Sequence, residues 1–425
     1  MSLSVGTLKR VVRIHLASVI ATSTMVQSVH ALDFKIELPP QKGIASPDDE
    51  VFFDEVLSVS ENQADALAAQ SAEPMSQLPS PVPPKEVQQR WLPGSKNAGK
   101  EEPATFQQKA PKSSASPRSL ARAGVPNMNS FPNPSCLKEN VSFWKRVYAE
   151  VDTQEALIHD REDLDKVYAN VRLGGSNAQR MQSMRMLKEH YRTSLLSLAD
   201  KIDSPKLWTP SERALAKNFR PSEFSRSRLV QASENIRVQQ GLKSRFNDGV
   251  KRSLQYLPTI KSILKKQNLP LDIAFLPHVE SSYVNHAKSK VGAVGLWQLM
   301  PMTMQLLMGK SAVNRRTDPT IATAAAAKLL RQNFEATGSW PLALTAYNHG
   351  LAGVLRAVRS TSSSDLCNII ERYNSPSFRF ASSNFYAQFV AAREIASKRY
   401  LELANNREVG RIVEPLIASR EKGAL

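Results

Sequence analysis

Apolar side chains recur at helical spacing over most of the chain from Asn140 onward. Val141, Trp144, Val147, Tyr148 and Val151 share one helical face, and Met181, Met184, Leu187, Tyr191, Leu195 and Leu198 share another. Both stripes read as core-facing surfaces without chemistry. Thr209, Pro210 and Glu212 spell a helix start: a capping hydroxyl, a proline in the first turn and the glutamate of a capping box. Helical patterning continues from Arg237 to Gln267 and breaks at Asn268-Leu-Pro270. Leu271 to Val279 then reads as a short apolar helix disturbed by Pro277, and Gly292 and Gly295 mark a loop or small hairpin. Pro301 opens the next helix. Asp318-Pro319 starts another, an N-cap carboxylate followed by proline, which runs into the alanines of Ala322 to Leu330. The close packing that alanines allow predicts a central helix wrapped by others. Trp340-Pro341 opens a helix through Asn348, and Phe385 to Tyr400 is the last. No period-2 alternation is long enough for a major sheet, and no repeat of fixed length occurs, so the pattern predicts an all-α fold.

The first third of the chain reads differently. Of the 26 prolines, 15 lie between Leu32 and Cys136, among few large apolar residues. Stretches such as Pro79-Ser-Pro-Val-Pro-Pro84 favour extended polyproline-like backbone, and little there offsets the entropy of ordering. Residues 32–135 are therefore expected to be a disordered linker giving reach. Before it, Lys9, Arg10 and Arg13 precede a short apolar run, Leu16 to Val26, and Val29-His30-Ala31 suits cleavage; residues 1–31 read as a secretory signal peptide. No later stretch approaches transmembrane length. The expected organisation is thus leader 1–31, linker 32–135, a helical region of unknown role 136–239, a second helical region 240–400 and a C-terminal tail 401–425.

A net charge of +17 suggests a polyanionic partner, with a merely solvated basic surface as the alternative. No zinc finger, RNP motif or basic zipper is present, so nucleic acid gives way to an acidic envelope polymer. Chemistry concentrates in Leu276-Pro-His-Val-Glu-Ser-Ser-Tyr283 and the following Gly292-Ala-Val-Gly-Leu-Trp-Gln-Leu-Met-Pro301. Glu280 ends an apolar helix flanked by Leu276, Val279 and Tyr283, where burial would keep its carboxyl protonated near neutrality, as glycosidic cleavage requires of a general acid. A glutamate at a helix end is more often solvated or capping, so position alone does not decide.

The order Glu280-Ser281, Ser289, Gly295-Leu-Trp-Gln-Leu-Met300, Arg315-Arg-Thr-Asp-Pro319 and Ala346-Tyr-Asn-His-Gly350 resembles the lytic transglycosylases with a goose-lysozyme-like SLT domain. Ser289 falls nine residues after the glutamate and Met300 twenty. The resemblance spans about 240–400 and implies a lysozyme-like helical domain, without metal or cofactor, acting on peptidoglycan strands in the periplasm. It implies that Glu280 is the acid, then base, that cleaves the bond between N-acetylmuramic acid and N-acetylglucosamine and leaves a 1,6-anhydromuramyl end. It further implies that Ser281 and Ser289 support the glutamate and the muramyl group, that Gln298 and Met300 line the saccharide site, and that Tyr347 and Asn348 complete it. Trp297, Tyr283 and Tyr347 are expected to offer stacking surfaces for sugar rings.

Two-carboxylate glycosidases need a nucleophile or a base for water. No second acid lies near Glu280 in sequence, since Asp272 falls on another helical face and Asp318 reads as an N-cap. A muramidase hydrolysing the same bond, and a catalytically silent wall-binding scaffold, remain open alternatives. A metal site is set aside: His278-Val-Glu280 lacks the cysteine pair of a zinc deaminase, and His278, Glu280 and His286 lack His-Glu-x-x-His spacing. The two cysteines, Cys136 and Cys367, allow a disulfide in an oxidising compartment, with two free buried thiols as the alternative.

Overall fold

The computed structural model describes residues 131–421, with side chains through 417. The signal segment 1–31 and the linker up to residue 130 lie outside the described residues. In chain order the elements are α1 (Lys138–Ala149), β1 (Glu155–Asp160), β2 (Val167–Arg172), α2 (Asn177–Asp200), α3 (Pro210–Ala216), α4 (Arg226–Glu234) and β3 (Ile236–Gln240). The chain continues through α5 (Lys243–Lys266), α6 (Leu276–Glu280), α7 (Pro301–Met308), α8 (Pro319–Thr337), α9 (Trp340–His349) and α10 (Leu351–Thr361). It ends with α11 (Leu366–Arg372), α12 (Phe380–Leu403) and α13 (Arg407–Glu421). The class is helical, with one small sheet.

Two apolar cores organise these elements. The main core joins α1 and α5 to α13; a satellite core joins α2, α3 and α4. The sheet divides them. Its strands run antiparallel in the order β2-β1-β3. Leu157 of β1 faces the main core, while Ala156 and Ile158 face the satellite. A central strand covered on both faces reads as a continuous apolar run rather than an alternation. For that reason the region 136–239, expected to be helical, contains strands as well, and the helix expected from Arg237 begins only at Lys243. This region holds three strands, and α1 belongs to the main body.

Local signals account for the helix ends. Ser176 and Thr209 each close a capping box, with Gln179 and Glu212 respectively. Asp318 Oδ1 accepts from the N–H groups of Thr320 at 3.0 Å and Ile321 at 3.1 Å, so it is an N-cap. The alanine-rich α8 buries Ala322, Ala325, Ala326, Ala327 and Leu330 but exposes Lys328. More enclosed are α9, in which every residue but Pro341 is buried, and the middle of α12, which buries residues around its whole circumference, among them Phe385, Tyr386, Phe389, Val390 and Tyr400.

Both outer boundaries also move. Phe131 is buried, its ring 5.4 Å from that of Trp340 and 5.1 Å from that of Phe389, and Tyr386 Oη donates to Pro132 O at 2.6 Å. The folded body therefore includes residues read as linker: a lone aromatic between prolines has no periodicity to betray it. A disulfide joins Cys136 to Cys367, with Cα atoms 6.0 Å apart, and fastens the entry of α1 to α11. At the far end, residues assigned to a tail form α13, whose Val413 and Leu416 enter the main core.

Candidate active site

The chain reaches Glu280 through one 3-10 segment, Leu271–Phe275, followed by the short α6. Pro277 is tolerated because it sits in the first turn, where no intrahelical N–H is needed. The helix stops abruptly. Ser282 and Tyr283 both take left-handed backbone, φ 48° and 59°, a costly choice for residues with a Cβ. Several bonds hold the turn there. Arg252 Nη2 and Nε donate to Ser282 O at 2.9 and 3.2 Å, Tyr283 N–H donates to Pro277 O at 3.1 Å, and Tyr283 Oη donates to Ala274 O. Gly249 of α5 makes this approach possible, since a Cβ there would meet Ser282 O at 2.9 Å. Glu280 is thus fixed at the last helical position by a braced, strained turn.

The glutamate is 1% exposed, and neither carboxyl oxygen has a hydrogen-bond partner among the described residues. Burial alone pushes its pKa up to about 8. It is therefore a neutral acid at pH 7. Two phenols lie within reach of its charge: burial first, then Glu280, raises both Tyr347 and Tyr148. Asp272 is elsewhere, 3.5 Å from Arg393.

Beneath α6 runs a polar chain. His278 Nε2 lies 2.9 Å from Tyr400 Oη, which lies 2.6 Å from Ser253 Oγ, and Ser253 donates to Val250 O at 2.6 Å. Because a carbonyl only accepts, the donors run in one direction, from His278 Nε2–H to Tyr400 to Ser253 to Val250. Burial, with a smaller push from Arg252, holds the His278 pKa down to about 3, so its ring is neutral, and it stacks on Phe246 at 4.9 Å.

The segment 289–300 frames the acid. Ser281 Oγ donates to Leu296 O at 3.0 Å, and Tyr347 Oη donates to Trp297 O at 2.7 Å, so Glu280, this segment and α9 are brought together. Gly295 has φ 85° and approaches Arg316 O so closely that a Cβ would sit 2.4 Å away. Gln298, at φ 44°, donates through Nε2 to Gly295 O at 2.9 Å and Ala287 O at 3.2 Å, leaving its buried Oε1 without a partner among the described residues. Met300 is half-buried and precedes α7. Asn348 is buried and accepts from Ser382 Oγ at 3.2 Å, and that oxygen lies 3.0 Å from His349 Nδ1.

Several expectations change. Ser281 and Ser289 do not hydrogen-bond Glu280: the first braces Leu296, and the second accepts from Ala293 N at 3.0 Å within its own turn. Trp297 and Tyr283 are not sugar platforms. Both are fully buried, and Trp297 Nε1 donates to Thr323 Oγ1 at 2.9 Å. Tyr148, Tyr400 and Ser253 were missed. Tyr148 sits in an amphipathic stripe indistinguishable from core, and nothing in its spacing marks it as a neighbour of Glu280.

A strained helix end presenting one buried acid, framed by a glycine-hinged hairpin and a helix bearing Ala-Tyr-Asn, defines a lysozyme-like helical site. Residues 258–370 match the family Transglycosylase SLT domain. The chain is similar to membrane-bound lytic murein transglycosylase D of Escherichia coli (strain K12), 35% identical over 121 residues, which are 28% of this chain and 27% of that protein. It is also similar to a transglycosylase of Enterobacteria phage PRD1, 38% identical over 99 residues, 23% of this chain and 36% of the relative. The likeness thus spans only 27% and 36% of these relatives' own lengths. Among the described residues no helix is long and apolar enough to cross a membrane, and no cluster of three metal-ligating side chains occurs.

Proposed function

We propose that this protein is a lytic transglycosylase of peptidoglycan, with Glu280 as its acid and then its base. The carrying observation is a carboxyl that burial alone raises to about 8, with both oxygens unpartnered and no neighbouring carboxylate shifting it. In the first half-step Glu280 gives its proton to the glycosidic oxygen between N-acetylmuramic acid and N-acetylglucosamine as the C1–O bond breaks. In the second, the resulting carboxylate takes the proton of the muramic acid C6 hydroxyl while that oxygen bonds to C1. The ring closes as a 1,6-anhydro end, no water is consumed, and Glu280 is again protonated. One carboxyl suffices because the sugar supplies its own nucleophile, whereas two-carboxylate glycosidases activate water or form a covalent intermediate.

Around that acid, Tyr347 and Ser281 hold the frame through Trp297 O and Leu296 O, and the free Gln298 Oε1 suits the N–H of an N-acetyl group. Asn348, Ser289 and Met300 shape the walls. Export by the N-terminal leader to the periplasm puts the site beside its polymer, and the positive charge suits a carboxylate-rich strand.

Digestion of purified sacculi followed by mass analysis of the released muropeptides tests this reading. Ends lighter by one water than reducing muramyl ends are expected. Reducing ends alone would make the protein a muramidase; binding of sacculi with no release at all would make it a scaffold.

A further inference from the structure

Helix α7 is apolar on both faces, although it lies at the surface. Its sequence, Pro-Met-Thr-Met-Gln-Leu-Leu-Met, contains no charge. Met304 and Leu307 enter the main core. On the outer side Leu306 is 77% exposed, Met302 52% and Met308 37%, and Met302 and Leu306 are neighbours one turn apart. Helices apolar all round belong in interiors or against lipid.

The rim of this helix is basic. Lys310 is exposed just beyond its end, and Lys328 reaches it from α8, with Nζ donating to Leu307 O at 2.9 Å. Arg316 Nη1 donates to Gly292 O at 2.7 Å and Leu299 O at 3.1 Å, which ties the turn that follows the exposed Lys288 and Lys290 to the segment leading into α7. Between Ser281 and Phe334 seven lysines and arginines meet one acid, Asp318. That carboxylate is committed to the N-terminus of α8 and, at 2.8 Å, to Arg315.

We propose that α7 docks on an anionic bilayer surface, with Met302 and Leu306 entering the boundary between headgroups and acyl chains while Lys288, Lys290 and Lys310 meet lipid phosphates. Flexible Met and Leu side chains ringed by lysines fit a fluid interface. A protein partner would call for aromatic anchors, and the large apolar side chains that α7 exposes are methionine and leucine. A single short helix gives weak, reversible attachment, independent of any other anchor. Because α7 follows directly on the segment that frames Glu280, docking sets the site close above the membrane.

Co-sedimentation of the full chain with vesicles tests this. Vesicles of phosphatidylglycerol in phosphatidylcholine are expected to bind it, less so at high salt, and pure phosphatidylcholine vesicles much less. The double substitution M302D/L306D is expected to weaken binding at least about tenfold. Leu207→Asp, at a leucine 67% exposed beyond the satellite helix α2, is the matched control and is expected to bind as the parent does. Circular dichroism checks folding of each variant. Should the double variant misfold, Leu306→Ser alone is expected to weaken binding about threefold or more. A parent that binds neither vesicle, or variants that all bind alike, overturns the proposal and leaves a protein as the occupant of this face. The readout needs no glycan cleavage, so its failure leaves the reading of Glu280 untouched.

Discussion

Two glutamates are hidden from solvent in two regions of this molecule, and their environments drive them in opposite directions. Glu280, in the main core, is 1% exposed, meets no hydrogen-bond donor among the described residues, and is raised to about 8 by burial. Glu212, at the start of α3 in the satellite, is 3% exposed but shallow. Burial pushes it up too, but Thr209 N–H, Lys201, Ser197 and the Thr209 hydroxyl outweigh this and bring it down to about 2. Low exposure therefore does not identify a functional acid. What separates the two is the supply of donors: Glu212 is saturated with them, and Glu280 is deprived of them, as the general acid proposed above requires if its proton is to stay available.

The largest expected effect follows directly. Glu280→Gln should reduce release of anhydromuropeptides by at least about a thousandfold, the upper part of what a general acid and base contributes. Glu212→Gln should leave the rate of folded enzyme unchanged, and a comparable loss there would break the contrast. The parent's rate should fall as pH rises through about 8, as Glu280 loses the proton it must donate.

Stability should respond with opposite signs. The unfolded chain releases the Glu280 proton near its ordinary value of 4.5, while the folded protein keeps it up to about 8. Stability therefore falls as pH rises between those values, and Glu280→Gln should gain about 1–3 kcal/mol at pH 8 and nothing at pH 4. Glu212 is the reverse case. Its folded value of about 2 lies below 4.5, so its contribution is full above 4.5 and is lost as pH falls toward 2. Glu212→Gln should cost about 1–2 kcal/mol at pH 7, with the deficit closing in acid. Thermal melts of both variants across pH decide it; parallel curves would remove the distinction.

This contrast was only half legible in sequence. The Thr209-Pro210-Glu212 box announces its own geometry because all its partners are local. The helices of the main body were legible for the same reason, through periodicity and caps such as Asp318. Glu280 was marked by its motif, whereas its deprivation of donors depends on residues far away in the chain. Tyr148 comes from α1 and Tyr400 from α12, and no local pattern brings them to α6. The sheet was hidden because β1 is covered on both faces. Trp297 was misread because an aromatic in a site motif resembles a sugar platform until its indole N–H is seen bonded to Thr323.

Two phenols near the acid then rank the smaller effects. Tyr347→Phe deletes the 2.7 Å bond to Trp297 O and leaves a buried carbonyl unpaired. It should cost about 1–2 kcal/mol in stability and at least about tenfold in rate, because that bond holds the segment framing Glu280. Full activity in this variant would detach α9 from the site.

Tyr148 should matter least and informs most about the comparison. It lies outside the matched residues 258–370, on α1, its ring 4.9 Å from Phe246, which in turn stacks 4.9 Å from His278. Burial and then the charge of Glu280 raise its phenol, so it stays neutral, and under the proposed mechanism it can serve as a donor to the carboxylate formed midway. Where Glu212 has four such donor contributions, Glu280 would have this one, and only once ionised. Removing it in Tyr148→Phe should make the carboxylate harder to form, move the descending limb of the pH–rate profile upward, and lower the rate about two- to tenfold. Melting temperature should change little. An unshifted limb would return Tyr148 to the core stripe from which the sequence could not distinguish it, and would leave Glu280 with no donor from outside its own domain.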